Sequence, residues 1–227
     1  MNTLRYSLLF MVFTFVGITS TYAQEDDGHL SKIAIGLSAG SQGGGLDVSK
    51  NVHPNFNIKL GFNYFKLDDF TQTLTFSGES MNTNINIDFT NVELLVEYMP
   101  FKTSSFKIVG GLAYLVGNNV QAVGEYADNV TFGEVTLAPA DIGTLEIKSE
   151  WAQVAPYFGI GVGRAVPKRR VGFGFDIGAY YAGSPKTTIT GTRLLEEMRT
   201  QQETLETNLS GYSWYPRLTL RLAVRIN

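Results

Sequence analysis

The sequence predicts an all-β fold: a closed antiparallel up-and-down transmembrane β-barrel of eight strands, with a short helix in the last outer loop. In the final segment, residues 212–226, Leu218, Leu220, Leu222, Val224 and Ile226 alternate with Arg217, Thr219, Arg221, Ala223 and Arg225. One face is aliphatic and the other carries three arginines. The same period of two returns along the chain, and the chain opens on an export signal. Together these favour apolar side chains turned to lipid and charged ones enclosed by the wall that carries them.

The signal is read from Arg5, the apolar run 8–16 and the small-residue end Thr21-Tyr22-Ala23, with the mature chain starting at Gln24. Residues 1–23 are thus expected to be removed, 24–31 to form a flexible segment, and 32–227 to form the barrel. The early run is short for a bilayer span, and no later stretch approaches the ~20 apolar residues that a spanning helix needs. The absence of cysteine excludes a disulfide scaffold and a lipid-modified cysteine anchor. With 18 basic against 21 acidic residues and a net charge of −3, nothing points to nucleic acid. Twenty-four glycines, eleven tyrosines and fifteen phenylalanines fit a barrel with aromatic girdles.

Each strand follows from its alternation. The first spans 32–40, with Ile33, Ile35, Leu37 and Ala39 outward, and the second, 43–50, follows a tight Gly-rich turn. The third sets Phe56, Ile58, Leu60, Phe62 and Tyr64 against Asn57, Lys59, Gly61 and Asn63. The fourth spans 84–99, with Val92, Leu94, Val96 and Tyr98 outward and a parity change near Phe89 and Thr90 that predicts a bulge. Phe106, Ile108, Leu112, Tyr114 and Val116 mark the fifth. Val154, Phe158, Ile160 and Val162 mark the sixth, within 150–163. Val171, Phe173, Phe175, Ile177 and Tyr181 mark the seventh, and the arginine segment is the eighth.

Connections after the second, fourth and sixth strands are short, and those after the third, fifth and seventh are long, which is the inner-turn and outer-loop asymmetry of such barrels. Residues 131–137 and 144–148 alternate, so strands five and six are expected to extend beyond the membrane as a hairpin. Between 192 and 209, Leu195, Met198, Leu205 and Leu209 fall at helical spacing, with Thr192 as the expected cap and the barrel rim as the expected resting place. Phe56, Tyr98, Phe101 and Phe106 are placed at the inner interface; Tyr64, Tyr114, Tyr181 and Trp214 are placed at the outer one.

Parity places Asp47, Lys59, Glu93, Glu97, Lys107, Asp176, Arg217, Arg221 and Arg225 inside the barrel, with Gln153, Tyr157 and Tyr180 as further lumen residues. An eight-stranded barrel is only wide enough for side chains to fill it, so these charges can pair and plug the lumen. Alternatively, the arginine ladder and Glu93/Glu97 form opposite walls of a narrow path for small polar or charged solutes. Of two histidines, His29 lies in the N-terminal segment and His53 in an inner turn, so no catalytic residue is expected. The same scarcity, with no cysteine, argues against a metal site, and no cofactor is expected. The glycines of Gly159-Ile160-Gly161-Val162-Gly163 alternate within a strand and precede no helix, so they pack the interior rather than cradle a phosphate. The largest loop carries Glu125, Asp128, Glu134, Asp141 and Glu146 against Lys148. The short turns carry Lys102, Lys168, Arg169 and Arg170.

Val154-Ala155-Pro156-Tyr157-Phe158-Gly159-Ile160-Gly161-Val162-Gly163, and the segment from Gly172-Phe173-Gly174-Phe175-Asp176-Ile177 through Gly178-Ala179-Tyr180-Tyr181-Ala182-Gly183-Ser184-Pro185-Lys186, resemble the paired strands of the CarO-type outer-membrane proteins. Gly43-Gly44-Gly45-Leu46 and the strand from Asn55 through Tyr64 are similar to the family's second and third strands, and the layout of Tyr212, Trp214, Pro216 and the final strand is also similar. The resemblance covers most of the mature chain in arrangement and is specific over roughly forty residues. It implies a monomeric eight-stranded barrel in the bacterial outer membrane, in contact with lipid, and by analogy a channel for small solutes such as basic amino acids. No ligand-binding residue is implied, and the chain departs from the common aromatic ending in finishing Arg225-Ile226-Asn227. The expected function is facilitated diffusion of small solutes, with a closed structural or surface-interaction barrel as the alternative.

Overall fold

The computed structural model describes residues 32–76, 79–101, 103–132 and 135–226. The expected signal, the N-terminal segment with His29, and the loop charges Lys102 and Glu134 lie outside the described residues. Eight antiparallel strands close on themselves: β1 (Ile33–Gly40), β2 (Gly43–His53), β3 (Phe56–Tyr64), β6 (Asn91–Tyr98), β7 (Phe106–Leu115), β12 (Val154–Val162), β13 (Val171–Tyr181) and β15 (Trp214–Arg225). The seam pairs the last strand with the first, Leu37 opposite Leu222 and Ser38 opposite Arg221. Closure leaves no free edge in this sheet.

The alternation turns its apolar set outward. Leu37 is 56 % exposed, Leu94 54 %, Phe173 65 % and Leu220 55 %, whereas Arg217 is 1 % and Arg221 4 % exposed. A wall of this kind has the wrong face for water and the right one for hydrocarbon. The outward aromatics sit at the strand ends as expected. Phe56 stacks on Tyr98 at 4.9 Å between ring centroids on one rim, and Tyr181 meets Trp214 at 5.0 Å on the other.

Above the barrel stands a second sheet. β4 (Lys66–Phe76), β5 (Glu79–Asp88), β8 (Asn119–Tyr126), β11 (Thr144–Glu150) and β14 (Lys186–Gly191) pair in the order β14-β11-β8-β5-β4. β9 (Val130–Phe132) and β10 (Val135–Leu137) form a separate hairpin, followed by the single turn α1 (Pro139–Ile142). Strands five and six of the barrel extend outward as β8 and β11, which matches the expectation at 144–148 but not at 131–137, where the chain forms the separate β9/β10 hairpin instead of continuing strand five. The parity change at Phe89 and Thr90 proves to be an interruption rather than a bulge: β5 ends at Asp88, and the Phe89 N–H donates to Phe65 O at 2.8 Å as the chain passes from one sheet to the other. β4 and β14 were not expected as strands, because their alternation runs through Thr, Gln and Asn and lacks the aliphatic face that marks the barrel strands.

The helical expectation for 192–209 holds in kind but not in detail. Arg193–Gln201 is a 3₁₀ helix and Gln202–Leu209 an α-helix, α2. Thr192 does not cap it; its hydroxyl instead accepts the Thr144 N–H at 2.9 Å. The segment rests on β14 rather than on the rim: Glu206 Oε1 accepts the Thr187 N–H at 2.9 Å and Gln202 Oε1 the Ile189 N–H at 3.4 Å. These side chains satisfy backbone donors that an edge strand would otherwise offer to another chain.

Candidate functional site: the barrel interior

The interior is built from three layers. At the inner end, the connection between β12 and β13 folds up into the barrel, with Ala165 and Val166 fully buried. The Ala165 N–H donates to Glu97 Oε2 at 2.9 Å, and Arg221 Nη1 donates to Ala165 O at 2.9 Å. Arg225 sits at this rim, half-buried, and donates to the carbonyls of Pro167 and Lys168. Sequence reading treats residues 165–170 as a plain short turn. The apolar Ala-Val-Pro triplet ahead of three basic residues is the signal that the turn packs inward.

Ion pairs occupy the middle layer. Arg221 on β15 forks onto both oxygens of Asp47 on β2, with Nε 2.7 Å from Oδ2 and Nη2 on Oδ1, and the Ser49 hydroxyl donates to the same Oδ1 at 2.8 Å. Arg217 grips Glu93 in the same forked manner at 2.9 Å on both oxygens, while Lys59 lies 3.9 Å from that carboxylate. Lys107 bridges Glu97 at 2.7 Å and Asp176 at 2.8 Å. Each of the four carboxylates therefore lies within ion-pair distance of a base, at 0–6 % exposure. A buried charge costs several kcal/mol to desolvate, which pairing and hydrogen bonding offset at Asp47, Glu93 and Glu97; Asp176 has the ion pair with Lys107 but, among the described residues, no hydrogen bond to either oxygen.

Glycines make the room. A Cβ on Gly36 would lie 2.4 Å from Asp47 Oδ2 and 2.5 Å from Arg221 Nε, and one on Gly161 would lie 2.2 Å from Asp176 Oδ1. Gly159 and Gly178 leave space for the Tyr157 hydroxyl in the same way, at 2.4 and 2.5 Å. The repeated glycines of β12 thus serve interior packing, as the alternation implied.

An aromatic column fills the outer layer. Arg217 lies 4.8 Å over the Tyr157 ring, Tyr157 meets Tyr180 at 4.9 Å, Tyr180 meets Tyr215 at 6.2 Å, and Phe89 stacks on Tyr215 at 4.9 Å and reaches Trp151 at 5.9 Å. Tyr180 ties this column to the ions by donating to Glu93 Oε2 at 2.6 Å. Above Tyr180 a cavity of about 240 Å³, lined chiefly by Phe89, Leu115, Trp151, Tyr180 and Tyr215, opens at the outer mouth. Among the described residues, no group of three or more His, Asp or Glu side chains is arranged to hold a metal ion.

No family model and no curated protein matches the sequence. Among solved structures, CarO2 of Acinetobacter baumannii superposes with a TM-score of 0.61 at 19% identity, over 86% of this chain and 99% of that one. CarO of the same organism gives 0.57 at 19% identity, over 88% and 99%. The fold is that of the CarO barrels.

Within this CarO-type barrel, eleven of the twelve lumen residues read from the sequence point inward or to the inner rim. Gln153 does not. β12 begins only at Val154, and residue 153 lies in the bend before it, exposed, with its carbonyl accepting the Leu115 N–H. The sequence reading also missed members of the network. Asn57, Asn63 and Thr219 were set on the inward faces of their strands without being named as lumen residues, and Ser49 and Asn91 share that inward parity. Gln42 does not: it lies in the two-residue turn between β1 and β2, yet its carboxamide enters the interior and donates to Asn63 at 3.2 Å and Thr219 at 3.3 Å. Phe89, Trp151 and Tyr215 lie at strand breaks and ends, where parity gives least guidance.

Proposed function

We propose that the chain is a bacterial outer-membrane barrel with a closed interior, which anchors and presents the five-stranded sheet and its helical cover at the cell surface. The outward apolar band, the aromatic rims, the export signal in the sequence and the likeness to the CarO structures support the membrane placement. One observation carries the closed reading: the side chains that a solute path would need are engaged with one another. Asp47 with Arg221, Glu93 with Arg217, and Lys107 with Glu97 and Asp176 are buried pairs, sealed below by Ala165 and Val166 and above by the tyrosine column. Opening a path for small polar solutes would separate forked ion pairs in a low-dielectric interior, at several kcal/mol each.

Conductance of the purified chain in planar lipid bilayers tests this. The closed reading expects no discrete current steps across the voltage range and unchanged silence with small zwitterionic and basic solutes present. Reproducible steps that alter in Arg221→Ala or Glu93→Ala would overturn it in favour of facilitated diffusion.

A further inference from the structure

The two edges of the outer sheet are treated differently. β14 is covered by the 3₁₀ helix and α2, with Glu206 and Gln202 occupying its backbone donors. At the opposite edge, among the described residues, no strand pairs the free side of β4. Its lower part is blunted in the usual ways: Lys66, Asp68 and Asp69 supply charge, and a bulge between Leu67 and Phe70, with Asp69 at a φ of 56°, breaks the register. The remainder is not. Residues 70–76 pair regularly with β5 from Phe70 opposite Ile85 to Phe76 opposite Glu79. They read Phe-Thr-Gln-Thr-Leu-Thr-Phe, a seven-residue run with no charge, no proline and no glycine, rich in residues that favour strands. Phe70 is 43 % exposed.

That run is nearly a palindrome about Thr73. Paired antiparallel with itself around a two-fold axis through Thr73, it sets Phe70 opposite Phe76, Thr71 opposite Thr75 and Thr73 opposite Thr73, departing from symmetry only where Gln72 meets Leu74. The threonine pairs are cross-strand pairs of favourable type. The register sum is even, so each face of one sheet continues into the same face of the other. A self-complementary patch is what a two-fold contact between copies requires. We propose that β4 is a homotypic docking edge, joining the outer sheets of two copies into one continuous sheet centred on Thr73.

The direction of the strands gives this contact a function. β4 follows directly on β3 and climbs away from the barrel, so an antiparallel partner strand descends from its own barrel, which lies at the far end of the joint sheet. Two copies joined in this way cannot stand in one membrane with the same orientation; they bridge two membranes that face each other. Thr73 is the eighth residue of β4, and at ~3.3 Å per residue the facing surfaces would be held no more than ~50 Å apart. A single pair of seven-residue strands buries less than the ~1,200 Å² of a stable interface. Each contact is therefore weak, and adhesion arises from many copies acting together across the gap. This inference rests on the reading of the barrel as an anchor for a surface sheet, and its test does not depend on whether the lumen conducts.

The cysteine-free chain allows a direct experiment. The full mature chain carrying Thr73→Cys, Thr71→Cys or Thr75→Cys is oxidised in detergent, and covalent dimer is scored by gel. Thr73→Cys should cross-link at least tenfold more than Thr71→Cys or Thr75→Cys alone, while a mixture of Thr71→Cys and Thr75→Cys should regain dimer. Vesicles of phosphatidylethanolamine and phosphatidylglycerol bearing the unmodified chain should cluster by light scattering, and clustering should be lost in Thr73→Lys, which opposes two like charges on the axis. Folding of each variant is checked by its heat-dependent gel mobility. Equal cross-linking of Thr71→Cys and Thr73→Cys would indicate parallel pairing within one membrane and overturn the proposal, as would clustering that survives Thr73→Lys in folded protein.

Discussion

Arg221 on the last barrel strand reaches across β1 to clasp Asp47 on the second, and Gly36 lies beneath the pair, with room for no side chain. Arginine, carboxylate and glycine form one unit. Gly36→Ala should destabilise the barrel by about 1–3 kcal/mol, the usual cost of overpacking. Gly44, whose added Cβ would meet nothing within 4 Å, should tolerate alanine within about 0.5 kcal/mol. Urea unfolding in lipid vesicles, followed by tryptophan fluorescence, checks both, and equal effects at the two sites would remove the packing argument.

Breaking the pair from one side should cost more than removing it whole. Arg221→Met leaves Asp47 buried without its principal counter-ion and is expected to lose about 3–5 kcal/mol, whereas Arg221→Met combined with Asp47→Leu should recover most of that loss. A double-mutant cycle in the same unfolding assay reads the coupling.

The two tryptophans report on placement. Trp214 is 58 % exposed on the outer wall beside Tyr181, while Trp151 belongs to the interior column against Phe89. In vesicles with brominated acyl chains, a Trp151→Phe variant, which retains only Trp214, should be strongly quenched. A Trp214→Phe variant should be quenched several-fold less. The reverse order would place the apolar wall away from lipid.

Edge protection at β14 has a local signature. Glu206→Ala removes the acceptor of the Thr187 N–H, a loss of about 1 kcal/mol, and should accelerate hydrogen exchange along β14 without altering exchange in β1, β2 or β15. Uniform acceleration would instead mean that the helical segment supports the barrel as a whole.

The barrel was legible because its chemistry repeats. Leu218 through Ile226 against Arg217 through Arg225 declares two environments at every second residue, and a closed wall with its apolar face outward accommodates both. The ion pairs were legible as an inward set but not as partners, since Asp47 and Arg221 are far apart in sequence and only strand order brings them together. The outer sheet was half visible. Segment 144–148 is legible as β11, but 131–137, read as the extension of strand five, is the separate β9/β10 hairpin, and the extension itself is β8; Phe70 through Phe76 alternate through threonine and glutamine, which single-sequence patterning reads as loop. Gln42 and the inward turn at Ala165 escaped for a related reason: side chains in turns have no parity to follow.

Two carboxylates of the early strands, Asp47 and Glu93, find their arginines only on the final one. Until β15 docks, Asp47 has no Arg221 and Glu93 no Arg217, so an unfinished wall carries stranded negative charge that hydrocarbon rejects. Closure of the seam and neutralisation of the interior happen in a single event. For the membrane barrel proposed above, a chain lacking β15 would leave both carboxylates without their arginines, which is expected to disfavour insertion before the seam has closed.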